Sequence, residues 1–543
     1  MRLGSSSKTI DRTAGFGPPV TLAKMDLMRG LEETGCGVAR LIPLVLAAMV
    51  GLLTIDAGFV YDDRSALEGS ALVAGDAHWS EAFTRDYWGK PIEQGVNSWR
   101  PIMPMVWAGM WALWPNNPLP FHLLSALLHV LAVAVSMRLA RALRDSEAWA
   151  IGVGALFAVH PLNAEAVGAI VAQADLLSFS LVLGACLIAL RPAGEAQGIS
   201  CAVVLLVASL VKESAMIFAP LLVLLIALQR RTMRERLAAS LPSVAVAVVV
   251  IAFQLIILTR RETVALFGNS LAHQAVGWQR VLLGLHTIGR SIVMTVWPAG
   301  LAPSHGYAAI ELQTNVLWPF AAVGAMALAL GIAAGWWAVR RRSAEWIAAL
   351  SFLYGPALLQ SHWFVRLITD LAERLLYPAT LGIAMIATSA IFALFDVRAQ
   401  KLVTTALVVL AFVVALPARR AWASDYALWS HAEAVEPKAM RHQFNLSNAL
   451  IRSGELDGAV FHRLVAMYLV NRFPKPVEWE KVEAVRRLPA SARFVELPGA
   501  LFPESPCPIV VAFLRQNEQI PDLHDHALRP WLSRYPQCFG SAR

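Results

Sequence analysis

Residues 41–69 read LIPLVLAAMVGLLTIDAGFVYDDRSALEG. The stretch 41–60 is an apolar run of the length a helix needs to cross a hydrocarbon core about 30 Å thick. Two adjacent carboxylates, Asp62 and Asp63, stand where that run leaves the bilayer. The rest of the chain reads the same way. Of 543 residues 57% are hydrophobic and only 15% are charged, where a soluble protein carries about 25%. Mean hydropathy is +0.55. The chain is therefore expected to be an all-α polytopic membrane protein. The first apolar run lacks a small-residue cleavage site and is expected to be a retained helix. The net charge of +8 lies largely in short loops between apolar runs, so it gives no sign of nucleic-acid binding.

Basic clusters set the expected topology, because cytoplasmic loops collect Lys and Arg. About eleven crossings place all the clusters on one side: 41–59, 121–143, 148–162, 166–190, 198–211, 214–229, 240–259, 315–338, 345–361, 374–395 and 401–417. An odd number puts a tail, 1–40, in the cytoplasm and a soluble region, 418–543, outside. Outer loops are expected over 60–120 and 260–314. Residues 101–114 and 278–297 are apolar, but the first is short and the second carries Arg280, His286 and Arg290. Both are expected as helices lying at the outer interface.

With this topology a set of polar residues converges on the outer face. It comprises Asp62, Asp63 and Arg64; Arg100; His160, Asn163 and Glu165; Gln173 and Asp175; Lys212 and Glu213; His305; and, near the last outer turn, His362, Arg366, Asp370, Glu373, Arg374 and Tyr377. Each has a bland reading: Lys212 with Glu213 as an interfacial ion pair, Glu373 with Arg374 as a solvated helix start, His160 as a helix-end cap. Together, ionisable groups at one membrane depth pair or line a polar cavity. A carboxylate there can act as general base toward a hydroxyl. Arg100, Lys212 and Arg374 are candidates to hold a lipid-linked phosphate and stabilise charge on a leaving group, with His160 and Glu165 beside them. Such a site fits a glycosyltransferase that uses a polyprenyl-phosphate sugar. Adjacent aspartates are also compatible with a divalent metal, which the pattern does not require.

Five motifs, in order, resemble those of the GT-C glycosyltransferases, and among them the tetratricopeptide-containing transmembrane O-mannosyltransferase-like family. They are FVYDDRSAL (59–67), the Arg-Pro segment from Trp99 with His122 and His129 behind it, LFAVHPLNAEAVGAIVAQADLLSFSL (156–181), SLVKESAMIFAPLLVLL (209–225) and AERLLYPATLGIA (372–384). The resemblance covers roughly residues 41–470. It implies a GT-C-type bundle and inverting transfer of a sugar, mannose being the expected one, from a polyprenyl phosphate to Ser or Thr of an exported protein. Asp62 or Asp63 would be the base. Gln173 departs from the family pattern where Arg or Lys is expected, and Leu376 where an aromatic is common.

The C-terminal region continues the resemblance. Residues 422–470 have the Trp, Leu, Pro, Asn, Gly and Ala spacing of a tetratricopeptide helix pair. That region is expected either to present a polypeptide acceptor or to serve as a scaffold packed on the outer loops. For an enzyme the acceptor is expected to be an exported protein or, as a variant, a lipid or cell-wall glycan; a non-enzymatic scaffold that binds partners through the C-terminal region is the alternative for the whole chain. Of the five cysteines, Cys507 and Cys538 fall in the exported region and are the candidate disulfide. The expected setting is a bacterial inner membrane.

Overall fold

The computed structural model describes residues 37–539, apart from 76, 93–97, 193–195, 231, 260–274, 307–313, 368, 370 and 473–477. Most of the expected tail 1–40, much of the expected outer loop 260–314, and Asp370 thus lie outside the described residues. Residues Pro43–Arg543 fall in one compact unit.

The described residues are helical and contain no β-strand; the β-bridges among them are isolated, including His305 with Leu371. The first helices are α1 (Ile42–Leu52), α2 (Ile102–Leu113), α3 (Leu119–Leu143), α4 (Glu147–Val159) and α5 (Asn163–Gly168). The middle of the chain forms α6 (Gln173–Ala189), α7 (Gln197–Val211), α8 (Ala219–Leu228), α9 (Met233–Thr259), α10 (Trp278–Val296) and α11 (Thr314–Arg340). Then come α12 (Ala344–Leu359), α13 (Tyr377–Leu394) and α14 (Val397–Ala421). Their ends follow ordinary capping chemistry. Ser146, Ser343 and Asp396 accept from backbone N–H groups at the starts of α4, α12 and α14. Proline stands in the first turn of α3, α8 and α13, where its missing N–H costs nothing.

Among the described residues six segments are long and apolar enough to cross a membrane: Leu119–Leu143, Ile170–Ala189, Met233–Ile256, Leu317–Arg340, Glu373–Leu394 and Val397–Ala421. The other expected crossings form helices of 10 to 16 residues, α1, α4, α7, α8 and α12, against the ~20 that a perpendicular crossing takes. Burial separates inner from outer segments. In its apolar window Ile170–Ala189 is 78% buried, whereas those in α9, α11 and α14 are 17%, 22% and 11% buried. Rows of exposed Leu, Val, Ile and Trp on these three are what a hydrocarbon solvent selects.

The bundle core is stitched by aromatic side chains. Phe157, Phe179, Phe218, Phe352 and Tyr377 meet ring to ring at centroid distances of 5.2–6.3 Å. The expected interfacial segments are both helices, α2 and α10. α10 lies directly on α11, where a Cβ on Gly289 would stand 2.0 Å from the Phe320 carbonyl oxygen and one on Gly324 1.9 Å from that of Leu285. Only hydrogen on both sides permits that approach.

The C-terminal region opens with α15 (Asp425–Val435), α16 (Met440–Ser453) and α17 (Leu456–Arg472). α16 ends at Gly454, whose φ of +79° is the left-handed cap glycine accepts without strain. Four more helices follow: α18 (Trp479–Arg486), α19 (Ala490–Leu501), α20 (Cys507–Gln516) and α21 (Pro521–Arg534). They pack Val482, Phe494, Phe513 and Trp531 into a core continuous with Leu464 and Tyr468 of α17, and so cover the apolar face that α15–α17 cannot bury alone. Cys507 and Cys538 are joined by a disulfide, with Cα atoms 4.7 Å apart. The same core extends through Trp429 and Trp422 to Val60, Leu67, Trp107 and Ile170. The C-terminal helices and the loop that follows α1 therefore share one interior.

Candidate active site

α1 ends at Leu52, and the chain turns through Phe59 and Val60 into the two carboxylates. The structure gives Asp62 and Asp63 different surroundings. Asp63 is fully buried. Its Oδ1 accepts from the Val171 N–H at 2.9 Å and its Oδ2 from the Val60 N–H at 3.3 Å. It ties the loop to the start of the span Ile170–Ala189. Burial pushes its pKa up to about 7, against the backbone N–H groups that favour the anion. Asp62 is half-buried and makes no hydrogen bond or ion pair among the described residues. Burial raises its pKa as well, and the positive charges of Arg374 and Arg441 act on it in the opposite direction. Arg64 does not turn toward Asp63; it pairs with Asp425 at 2.9 Å and Glu68 at 3.2 Å.

The three expected phosphate-binding cations are all present, and each is paired with a carboxylate. Arg374 donates through its side chain to Glu165 Oε1 at 2.5 Å and through its backbone N–H to Oε2 at 2.8 Å. Lys212 Nζ is 2.5 Å from Asp175 Oδ1, both buried. Arg100 grips Glu213 with two hydrogen bonds, 2.6 and 2.7 Å, and lies over the Tyr87 ring at 4.8 Å. Lys212 feels the charges of both Arg100 and Arg374, so the three pairs form one cluster. Pairing is how buried charge is tolerated. Of the three cations Arg374 and Arg100 keep some access to solvent, at 20% and 17% of their side chains, against 4% for Lys212.

Glu373, next to Arg374, begins a second network. It accepts from His305 Nε2 at 2.8 Å and from the Ala302 N–H at 2.6 Å. His305 Nδ1 meets Glu436 at 2.8 Å, and Arg290 donates to the same carboxylate. Burial opposes the charge on His305, but the Glu436 and Glu373 carboxylates overcome it and push its pKa up to about 9. Beside this network opens a cavity of about 470 Å³ lined by Arg290, Met294, Trp297, Phe320, Glu436 and Lys438, among others.

Other expected site residues have structural partners. His160 bridges the Thr295 carbonyl at 3.1 Å and the Leu162 N–H at 3.3 Å, the cap-like role. Tyr377 is buried and hydrogen-bonded to His129 at 2.8 Å, inside the bundle. Gln173 is also buried; it accepts from Trp107 at 2.8 Å and donates to Phe121 and Ser125 at 2.7 and 2.9 Å. A cation in its place would offer no acceptor for the Trp107 N–H. The backbone carbonyl of His362 accepts from Arg280 at 2.8 Å. No group of three or more His, Cys, Asp or Glu among the described residues is placed to hold a metal ion.

Four contributors escaped the sequence reading: Tyr61, Asp425, Glu436 and Arg441. Asp425 Oδ1 accepts from the Tyr61 N–H at 2.7 Å, and Arg441 donates to the Tyr61 hydroxyl at 3.3 Å. In the sequence Asp425 looks like an ordinary first-turn acid after the cap Ser424, so no local signal marks it.

Among curated proteins, the chain is 42% identical over 135 residues to a Drosophila melanogaster protein named Protein O-mannosyl-transferase Tmtc2. It is 31% identical over 144 residues to human Protein O-mannosyl-transferase TMTC3. A Caenorhabditis elegans protein, Protein O-mannosyl-transferase F38B6.6, matches at 24% identity over 434 residues, 77% of this chain. The chain covers 14%, 16% and 61% of those three relatives' lengths. No protein-family model matches, and no solved structure does. In sequence the chain thus resembles proteins of the tetratricopeptide-containing transmembrane O-mannosyltransferase-like family.

Proposed function

We propose that the chain is an integral-membrane glycosyltransferase that moves mannose from a polyprenyl phosphate to Ser or Thr hydroxyls of exported proteins, with Asp62 as general base. The observation that carries this reading is Asp62 itself. Asp63, Glu165, Asp175, Glu213, Glu373, Asp425 and Glu436 all have hydrogen-bonded partners. Asp62 has none among the described residues, is only half-buried, and lies in the field of Arg374. A free carboxylate beside a positive charge suits proton abstraction next to a leaving phosphate.

In this reading the acceptor oxygen attacks the sugar's anomeric carbon as its proton passes to Asp62. The anomeric carbon–oxygen bond to the carrier breaks, and the polyprenyl phosphate departs with the electron pair. Arg374 and Arg100, each partly open to solvent, offer charge to that phosphate, and Glu165 and Glu213 hold them in place. The relatives' printed names support the reaction class. The face bearing Asp62 would be the outer face of a bacterial inner membrane, with the N-terminus in the cytoplasm. The tetratricopeptide-like helices α15–α17, as part of a region over 418–543, would lie outside and receive the acceptor.

Mass spectrometry of exported proteins from a deletion strain tests the reading. Complementation with wild type restores hexose on Ser or Thr. Asp62→Asn, although inserted normally, lowers transfer about 10²–10⁴-fold, as loss of a positioned base does. Near-normal glycosylation by Asp62→Asn rules Asp62 out as the base. Hexose modification unchanged by the deletion itself points to the scaffold alternative.

A further inference from the structure

Tyr61 has φ +55°, a left-handed backbone that an aromatic residue reaches only when its surroundings over-determine it. The surroundings come from the C-terminal helices. Asp425 Oδ1 takes the Tyr61 N–H at 2.7 Å. The Tyr61 ring meets Trp429 edge-on, centroids 4.8 Å apart. Arg441 holds the hydroxyl at 3.3 Å. On the other side of Asp62, Asp63 is pinned to Val171 and Val60. The residue before Asp62 is thus fixed by the C-terminal region and the residue after it by the membrane bundle. Between them the Asp62 side chain has no hydrogen-bond or ion-pair partner among the described residues.

Asp425 has a simpler reading as a helix-start acid. That task is already performed, since Ser424 accepts from the Ala427 N–H at 3.2 Å. Asp425 is 7% exposed. Its Oδ2 is held by Arg64 at 2.9 Å and Arg452 at 2.8 Å, which leaves Oδ1 aimed at Tyr61.

We propose that Asp425 is a positioning residue: it holds Tyr61 in its left-handed conformation and thereby points the Asp62 carboxylate toward Arg374. This rests on the reading of Asp62 as the base. Without the acceptor at residue 425 Tyr61 relaxes toward an ordinary φ, and the direction of the following side chain changes with it. The C-terminal region then completes the reacting constellation, beyond any role in docking the acceptor.

The test uses full-length protein, synthetic polyprenyl phosphate mannose and a Ser/Thr peptide. Asp425→Ala is expected to lower kcat about a hundredfold, the cost of displacing a reacting group by roughly 1 Å, with KM for both substrates nearly unchanged. Asp425→Asn keeps an oxygen for the Tyr61 N–H but turns an NH2 toward Arg64 and Arg452, so its kcat should fall between wild type and Asp425→Ala. Arg452→Gln removes a partner of Asp425 without touching Tyr61 and should stay near wild type. If Asp425→Ala does not accumulate, Asp425→Gln carries the test, because its acceptor sits one methylene too far out and kcat should fall alike. Wild-type kcat in Asp425→Ala or Asp425→Gln overturns the inference. So does an equal fall in Arg452→Gln, which would mark a purely structural ion-pair role. Asp62→Asn is assayed in parallel. If it is active, the base reading fails and the inference falls with it. If it is inactive while Asp425→Ala turns over normally, only the positioning role is lost.

Discussion

Two neighbouring aspartates with the same chemistry do different work because one carboxylate is surrounded by backbone N–H groups and the other is not. Asp63→Ala strands the N–H groups of Val60 and Val171, both at residues less than a tenth exposed. Each buried, unpaired donor costs about 1–3 kcal/mol. The variant should unfold at a clearly lower temperature in detergent, while Asp62→Asn unfolds near the wild-type midpoint. His305 makes a second residue-level prediction. It faces Glu373, Glu436, Arg290 and, through its field, His442. Its pKa rises from 6.5 to about 9 in the fold, so its stabilising charge is fully present below pH 6.5 and lost as pH rises through 9. The unfolding midpoint should therefore fall between pH 6.5 and 9, and His305→Gln should flatten that slope.

At the scale of elements, the pairing of α10 with α11 depends on two glycines facing backbone. Gly324→Val would put a Cβ 1.9 Å from the Leu285 carbonyl oxygen, a clash no side-chain rotation relieves. Overpacking costs at least about 1–3 kcal/mol, so this variant should insert poorly or resist proteolysis less well. Gly335→Ala in the same helix is the control, since a Cβ there meets nothing within 4 Å and should be tolerated. The contact also bears on the cavity beside His305, because Arg290, Met294 and Phe320 line it from these two helices.

At the scale of the whole molecule, the C-terminal helices and the loop that follows α1 are built around one core. Their shared core joins Trp429 and Leu446 to Val60, Leu67 and Ile170, and Asp425 and Glu436 reach across to Arg64 and His305. A chain ending at Ala421 should still insert through α3, α6 and α13 but lose transfer altogether. Limited proteolysis should cut it within residues 59–73, a stretch that survives in the intact protein. A truncated chain with full activity and an uncut loop would show that the C-terminal region is an independent module.

The sequence by itself determined the solvent and the class of the fold. Apolar runs long enough for a bilayer admit only helices there, since no water is present to satisfy an open backbone. Ordered motifs also brought out the ionisable residues that the structure gathers: Asp62, Arg100, Glu165, Asp175, Lys212, Glu213, Glu373 and Arg374. A charge inside an apolar run is conspicuous in one dimension. Tertiary structure alone decided which of these are free and which are paired, because Arg374 finds Glu165 across 209 positions and Arg100 finds Glu213 across 113. It alone separated Asp62 from Asp63, since the donors that hold Asp63 include one at Val171. It placed Tyr377 and Gln173 in buried networks and His160 at a helix end, where their polarity had suggested the site. It also brought Asp425, Arg441 and Glu436 to the site from a soluble-looking segment, in which a charged residue at a helix end carries no local mark of what it will touch.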